Sequence, residues 1–524
     1  MAVSFRFSLE EKEKLLNGIS FGESAAEDEY KELEHYFVET HYWRQLRNGA
    51  ADIIYGPKGS GKSALYSLLL AKTKELSDQN ILVVTAENPR GELVFENIAD
   101  KESEDEHYFE GLWKLYFLLL IARVLQEHTE EYGAETDDFR ILYTKLRQSQ
   151  LMPEKTSPLK AVFISVRDYM NRISGINGQF SGTGAGITIA EPAAHTRPQF
   201  ISVDDLLKHA ESALGGIGYS VWILLDRLDM AFGTNEALEG KALRALFKVY
   251  RDMKNLEHID LKIFLRTDVR DSITEGHRMP EFDKVRPHSL TIEWEPIDLQ
   301  NLVVRRFLKN DAVVEYCQVN REAVLGNVRR QEELIGMLFP AHVERDTKGM
   351  DTFKWILTRT QDGKENAPRE LINFLRALKD KQIRALERNV SKLQSEDHQL
   401  FEQSAFKEAW AVVSTTRLKD LIYPNYPSLR DYMEALRGKY AENTLTNLSK
   451  EWDVDLQEAR RIATRLVNMG FFERKVTKKK GKRRASDYYY VPFLYRSELG
   501  IIGGGLGKVR AATRRRPQTT SQSS

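Results

Sequence analysis

Gly56-Pro57-Lys58-Gly59-Ser60-Gly61-Lys62-Ser63 follows the short apolar run Ile53-Ile54-Tyr55 and precedes Ala64-Leu65-Tyr66-Ser67-Leu68-Leu69-Leu70. A strand, a glycine-rich loop and a helix in that succession make a phosphate-binding loop, because a triphosphate needs many N–H donors converging on its oxygens and only a backbone free of side-chain bulk wraps that closely. The glycines supply that freedom. The helix opening at Gly61–Lys62 adds its positive dipole end, Lys62 is placed for the β- and γ-phosphates, and the Ser63 hydroxyl is placed to ligate Mg²⁺. Gly56, Pro57, Lys58, Gly59, Ser60, Gly61, Lys62, Ser63 and Ala64 are therefore the expected ATP contacts. A chance match in a glycine-rich turn would not need the flanking strand and helix, and the sequence has both.

Downstream, Val221-Trp222-Ile223-Leu224-Leu225-Asp226-Arg227-Leu228-Asp229 is an apolar run ending in a carboxylate. Asp226 at the end of such a strand is placed to hold Mg²⁺ through water while Ser63 binds it directly. A water-orienting Glu commonly follows this Asp in ATPases of the additional-strand class, and Arg227 stands there instead. Asp229 becomes the candidate general base, and the expectation is a slow or switch-like hydrolase. The run Leu261-Lys262-Ile263-Phe264-Leu265 ends in Arg266-Thr267-Asp268. If it lies between the other two strands, Arg266 or Thr267 stands where a polar group senses a γ-phosphate, with helix capping by Thr267 or Asp268 as the structural alternative. Arg266 is favoured for the sensing role, since a charge at a strand end costs desolvation unless an anion is near.

Further short apolar runs, Ile81 to Ala86 and Ser289 to Trp294, complete five candidate strands alternating with helical stretches. Such runs suit strands buried on both faces, so the expected fold is an α/β three-layer core on a parallel sheet. The expected organisation is a helical segment over 1–50, a core over 51–295 interrupted by an insertion at about 92–218, a helical lid over 296–410, a winged helix over 411–498 and a basic tail over 499–524. Leu33, Phe37, Tyr42 and Leu46 place a helix beside the first strand. In the lid, Asn366-Ala367-Pro368-Arg369-Glu370 opens a helix with Pro in its first turn, which puts Arg369 at a helix N-terminus. Arg369 either reaches a γ-phosphate from there or pairs with Glu370 or Asp362; the first role is the expectation. Arg305 and Arg306 read as a solvated helix face.

From Leu429 the pattern is three helices, ending with Leu456 to Met469, and then two strands, Phe471-Phe472 and Tyr488 to Leu494. The strands flank the basic loop Lys478-Lys479-Lys480-Gly481-Lys482-Arg483-Arg484. Leu456, Ala459, Ile462, Leu466 and Val467 form the inward stripe of the third helix and leave Arg460, Arg461, Thr464 and Arg465 outward. That row beside the Lys478 to Arg484 loop fits the phosphates of double-stranded DNA, although a docking surface for an effector protein fits as well. It carries no base-specific readout.

The loop Tyr55 to Ala64, Leu224 to Asp229, Pro368-Arg369-Glu370 and the terminal three-helix pattern together resemble bacterial AAA-like and STAND-type P-loop ATPases, related in layout to origin-recognition ATPases. Ala25-Ala26-Glu27-Asp28 adds to the likeness. The resemblance implies sheet order 5-1-4-3-2, ATP with Mg²⁺, and a homo-oligomer in which a neighbour lends an arginine finger. Arg270 and Arg286 are the candidates for that finger. Several such proteins serve anti-phage defence. Arg227 departs from their pattern.

The 524 residues exceed one ordinary core, Lys+Arg and Asp+Glu both number 77, and 41% are hydrophobic. Charge balance excludes a global attraction to nucleic acid, so any such affinity is local. A single cysteine, Cys317, excludes an internal disulfide. The absence of an apolar leader or membrane-length run reads as a cytoplasmic protein. Three functions stand on this sequence: an ATPase coupled to DNA, a slow switch whose terminal domain docks a protein, and a DNA-binding regulator that keeps ATP as a structural ligand.

Overall fold

The computed structural model describes residues 9–23, 37–86, 106–152, 158–177, 188–190, 200–228, 236–274, 285–344, 350–362, 366–388, 399–477 and 486–503. The chain divides into two compact units. One joins Ala26–Glu34 to Glu39–Ile292, and the other joins Met1–Ala25 and His35–Val38 to Glu293–Ser524.

The strands of the first unit are β1 (Ile53–Gly56), β2 (Ile81–Thr85), β3 (Thr188–Ala190), β4 (Phe200–Ser202), β5 (Ser220–Leu225), β6 (Ile259–Arg266) and β7 (Ser289–Thr291). Five of them form one sheet in the order β2-β5-β6-β1-β7, every neighbouring pair parallel. Numbered along the chain, these five run 2-3-4-1-5, which is the expected 5-1-4-3-2 read from the opposite edge. β3 and β4 pair antiparallel outside that sheet. The central strands are apolar on both faces because helices cover both, and Ile53, Ile54, Ile223, Leu224 and Ile263 have no exposed surface.

The interval expected as an insertion supplies much of this unit's core. Helix Glu106–Tyr132 buries residues on every side, Phe109, Leu112, Trp113, Tyr116, Leu119 and Leu120 among them, which is the behaviour of a helix enclosed by its neighbours. Three of its polar side chains find partners on other elements. Trp113 Nε1 donates to the Ala242 carbonyl at 2.9 Å, Tyr116 Oη to the Ala86 carbonyl at 2.8 Å, and Lys114 pairs with Asp204 at 2.8 Å. Of the Gly175 to Gly186 run, expected as a loop or hairpin, Gly175 to Asn177 instead end helix Leu159–Asn177, and the rest lies outside the described residues.

A buried ionic group ties the start of β1 to β6. Asp52 and Lys262 are both fully buried and 2.6 Å apart, Tyr250 Oη donates to Asp52 at 2.8 Å, and Lys254 pairs with Asp52 at 2.9 Å. Lys262 Nζ also lies 4.3 Å from the Trp222 ring centroid. Burial pushes the Asp52 carboxyl up, and the Lys262 and Lys254 ammonium groups more than reverse this, holding it below the usual carboxylate range.

In the second unit, helices Leu9–Gly18, Pro296–Leu308, Thr352–Thr360, Pro368–Arg388 and Gln403–Thr416 share one apolar core with the terminal segment. Here Arg306 departs from the sequence reading. It is 3% exposed and donates to the Phe21 carbonyl, because the chain around Phe21 packs over the Pro296–Leu308 helix, with the Phe21 and Phe307 rings 5.1 Å apart. The terminal segment holds helices Leu445–Trp452 and Leu456–Asn468 and three strands, β8 (Glu442–Thr444), β9 (Glu473–Thr477) and β10 (Ser486–Tyr490), in the antiparallel order β8-β10-β9. Two further corrections fall here. Phe493 and Leu494 begin the helix Phe493–Leu499 instead of extending a strand, since Pro492 withholds a ladder N–H and serves as its N-cap residue. Leu456 is 54% exposed, outside the inward stripe, whereas Ala459, Ile462 and Leu466 are buried as expected.

Candidate functional site

The loop after β1 has the conformation its glycines permit. Gly59 and Gly61 lie at φ +87° and +99°, where a side chain would be strained. A Cβ on Gly56 would stand 2.4 Å from Ser60 Oγ. Ser60 N–H donates to the Pro57 carbonyl at 3.2 Å, closing the loop, and Gly61 then serves as N-cap of helix Lys62–Ala71. The first turn of a helix leaves its amides without intrahelical acceptors, so Lys62, Ser63 and Ala64 present N–H groups at the loop. Lys62 Nζ folds over the same loop, donating to the carbonyls of Gly56 at 2.8 Å and Pro57 at 3.0 Å. An ammonium, a row of amides and a hydroxyl around a glycine-built cradle form a donor set that fits a phosphate chain and its Mg²⁺.

β6 lies between β5 and β1, as the sequence reading required for Arg266. Gly56 pairs with Arg266 in register and Leu225 pairs with Ile263, so the ends of β1, β5 and β6 stand together at one edge of the sheet. Strands about 4.8 Å apart put Asp226 roughly 10 Å across from the loop, a span that a hydrated cation and a phosphate would fill. Asp226 is 6% exposed. Arg227 follows at φ +58°, a left-handed backbone costly for a residue with a Cβ. Asp229 lies outside the described residues.

The anion that Arg266 calls for is already within its own chain. Its guanidinium grips Asp268 through two parallel bonds, Nε to Oδ1 at 2.9 Å and Nη2 to Oδ2 at 2.5 Å. Thr267 opens helix Thr267–Thr274. Arg270 on that helix pairs with Asp271 at 2.7 Å, and its guanidinium lies 5.1 Å from the Tyr55 ring centroid. Burial pushes the Tyr55 phenol upward, partly offset by Arg270. Arg286 is exposed on the turn Arg286–His288.

Arg369 occupies the first turn of helix Pro368–Arg388 in the other unit. Glu370 and Asp362, the alternative partners weighed for it, are both held by Arg417, at 2.8 and 2.5 Å. Arg417 is the functional candidate that sequence reasoning missed, and its position inside an unbroken helical pattern gave no signal.

The terminal helix Leu456–Asn468 presents Arg460, Arg461, Thr464 and Arg465 on its exposed side. Arg461 pairs with Glu458 at 3.5 Å, and Thr464 Oγ1 donates to the Arg460 carbonyl at 2.8 Å. Asp455 caps the helix by accepting from the Gln457 and Glu458 amides, both at 2.8 Å. Acidic groups thus gather at the helix start and cationic ones along its body. On the adjoining strands, Arg474 pairs with Asp487 at 2.8 Å and Lys475 with Glu473 at 3.0 Å. The loop Lys478 to Arg484 lies outside the described residues.

No protein-family model and no curated protein matches this sequence. Among solved structures it is similar to the ORC1 protein of Aeropyrum pernix in complex with DNA, with 11% identity, 88% of this chain and 92% of that chain covered, and a TM-score of 0.33. The ORC2 protein of the same organism, solved as ADPNP–ADP complexes, is similar at 12% identity, 90% and 92% coverage and TM-score 0.34. Cdc6p from Pyrobaculum aerophilum follows at 8% identity, 90% and 92% coverage and TM-score 0.27. Likenesses this distant leave function to be argued from the chain's own residues. Among the described residues no helix is long and apolar enough to cross a membrane.

Proposed function

We propose that this chain is a P-loop ATPase that holds Mg²⁺–ATP on residues Gly56 to Ala64 and couples nucleotide state to the engagement of double-stranded DNA. The observation that carries the reading is the loop itself: a cradle at the end of β1 in which a Cβ at Gly56 would crowd Ser60, closed under Lys62, with Asp226 ending the next strand but one. Lys62 would bind the β- and γ-phosphates, Ser63 would ligate the cation and Asp226 would hold it through water. The bound Mg²⁺ would supply charge neutralisation on the phosphates. Arg266 would sense the γ-phosphate by exchanging Asp268 for it, and Arg369 would answer to the same group from the lid helix. Asp229 remains the proposed general base, and Arg270 or Arg286 the proposed finger lent to a neighbour in a homo-oligomer.

The terminal segment is proposed to act as a winged helix that meets duplex phosphates through Arg460, Arg461 and Arg465 with the Lys478 to Arg484 loop. Support comes from the exposed cationic side of helix Leu456–Asn468 beside a three-stranded antiparallel sheet. Anti-phage defence rests on the family resemblance alone and predicts that cells carrying Lys62→Ala lose protection.

Arg227 favours a second reading, a slow switch that binds ATP and docks an effector protein, because a cation stands where a water-orienting carboxylate is common. Hydrolysis by the purified chain, with and without duplex DNA at moderate salt, separates the readings. DNA-stimulated turnover lost in Lys62→Ala and Asp226→Ala supports the coupled ATPase. Tight ATP binding without turnover supports the switch. Salt-sensitive duplex binding that ignores ATP supports a regulator with a structural nucleotide.

A further inference from the structure

Arg417 is a guanidinium in the interior of the second unit, 4% exposed, between two carboxylates. Nη1 donates to Glu370 at 2.8 Å and Nη2 to Asp362 at 2.5 Å. Glu370 is itself 2% exposed and stands next to Arg369 in the first turn of helix Pro368–Arg388. Asp362 faces a different part of the same unit. A Cβ on Gly470, at φ +83°, would meet Asp362 Cγ at 3.5 Å, and Gly470 belongs to the turn that leaves helix Leu456–Asn468 for β9. The Tyr495 hydroxyl is buried without a hydrogen-bond partner among the described residues, and the Tyr495 ring lies 5.1 Å from that of Phe471, the residue after Gly470. One charged group therefore links the turn that carries Arg369 to the turn at the base of the cationic helix.

The backbone around Arg417 is unusual as well. It begins a π-helical stretch, Arg417–Ile422, continuous with helix Gln403–Thr416. A π-turn inserts residues into the helical ladder and rotates the side chains on either side of it.

We propose that Arg417 is a positioning residue that couples the Arg369 turn to the Leu456–Asn468 helix, by holding Glu370 on one side and Asp362 on the other. The inference rests on the ATPase reading above and deepens it: nucleotide sensed at Arg369 reaches the duplex-binding helix through this buried ion group. The group contacts neither nucleotide nor DNA in that scheme, so removing it should leave each ligand bound and abolish the influence of one on the other.

The test is fluorescence anisotropy with a labelled random-sequence duplex, at fixed salt, without nucleotide and with Mg²⁺ plus a non-hydrolysable ATP analogue. The full chain and its Glu370→Gln and Asp362→Asn variants are compared. Wild-type duplex affinity should change with nucleotide by about tenfold, a common allosteric coupling. In Glu370→Gln the ratio should collapse to within twofold of one, with analogue binding and the salt slope of duplex binding unchanged. Asp362→Asn keeps the side-chain shape, removes the second charge held by Arg417 and should reduce the ratio in part, so it carries the test if Glu370→Gln fails to fold. A folded Glu370→Gln, or failing that an Asp362→Asn, with the full wild-type ratio overturns the proposal and leaves the ATPase reading standing. A wild-type ratio of one contradicts the coupled reading and this inference with it.

Discussion

A side chain at Gly56 would crowd Ser60. Its Cβ would lie 2.4 Å from Ser60 Oγ and 3.3 Å from Ser60 Cβ, and Ser60 is 1% exposed, so Ser60 would have to turn or shift within the loop. Gly56→Ala should therefore lower Mg²⁺–ATP affinity at least tenfold by calorimetry while the circular dichroism spectrum stays that of the wild type. Arg227 makes a contrasting case, because its left-handed backbone at φ +58° is strained for an arginine and free for a glycine. In thermal denaturation Arg227→Gly should unfold at or above the wild-type temperature. Arg227→Val, β-branched at the same backbone, should lose about 1–2 kcal/mol. The glycine loop between strand and helix and the apolar strand ahead of Asp226 were legible from residue order, since glycine spacing and an apolar run ending in Asp are local properties. The Arg266–Asp268 pairing was not, although the cost of an unpaired charge at a strand end correctly demanded an anion there.

Strands β1 and β6 are held in register by more than their ladder. Asp52 extends the pairing by one position opposite Lys262, and both are fully buried. The folded carboxyl titrates below its ordinary value of 3.8, so the group contributes stability that is fully present above the unfolded pKa and is lost as pH falls through the folded one. Wild-type stability should thus decline below about pH 4. Asp52→Asn should flatten that acid limb and cost about 3–5 kcal/mol near neutrality, since it leaves Lys262 buried without its counter-charge. Denaturation followed from pH 3 to pH 7 reads both effects, and replacing Lys262 by Met in the same chain should recover part of the loss. Element types were readable where apolar runs were strong. β8 escaped because Glu442-Asn443-Thr444 is polar and becomes a strand only through its pairing with β10, a partner remote in sequence. Helix Glu106–Tyr132 was recognised as a helix, but its burial on every side depends on neighbours that periodicity does not show.

A chain with equal numbers of acidic and basic residues binds duplex through a local patch or not at all. If helix Leu456–Asn468 is that patch, replacing Arg460, Arg461 and Arg465 together by Ala should reduce the slope of log affinity against log salt by about 2.7, near 0.9 for each phosphate left unneutralised. Hydrolysis in the absence of DNA should stay at the wild-type rate, and a slope unchanged in that variant would assign the patch to a protein partner. The chain divides into its two compact units near Glu293. The buried arginines 306 and 417 were not plain in the sequence, because a guanidinium enters a core only where carbonyls or carboxylates from distant segments converge on it.

An ATPase function depends first on the Gly56 to Ala64 loop taking a triphosphate. Isothermal titration of the purified full chain with Mg²⁺–ATP, beside Lys62→Ala, addresses that point directly. One site per chain is expected in the wild type, with a loss of affinity of at least tenfold in Lys62→Ala, whose fold is unchanged. Equal binding by both chains, or none by a folded wild type, would contradict it.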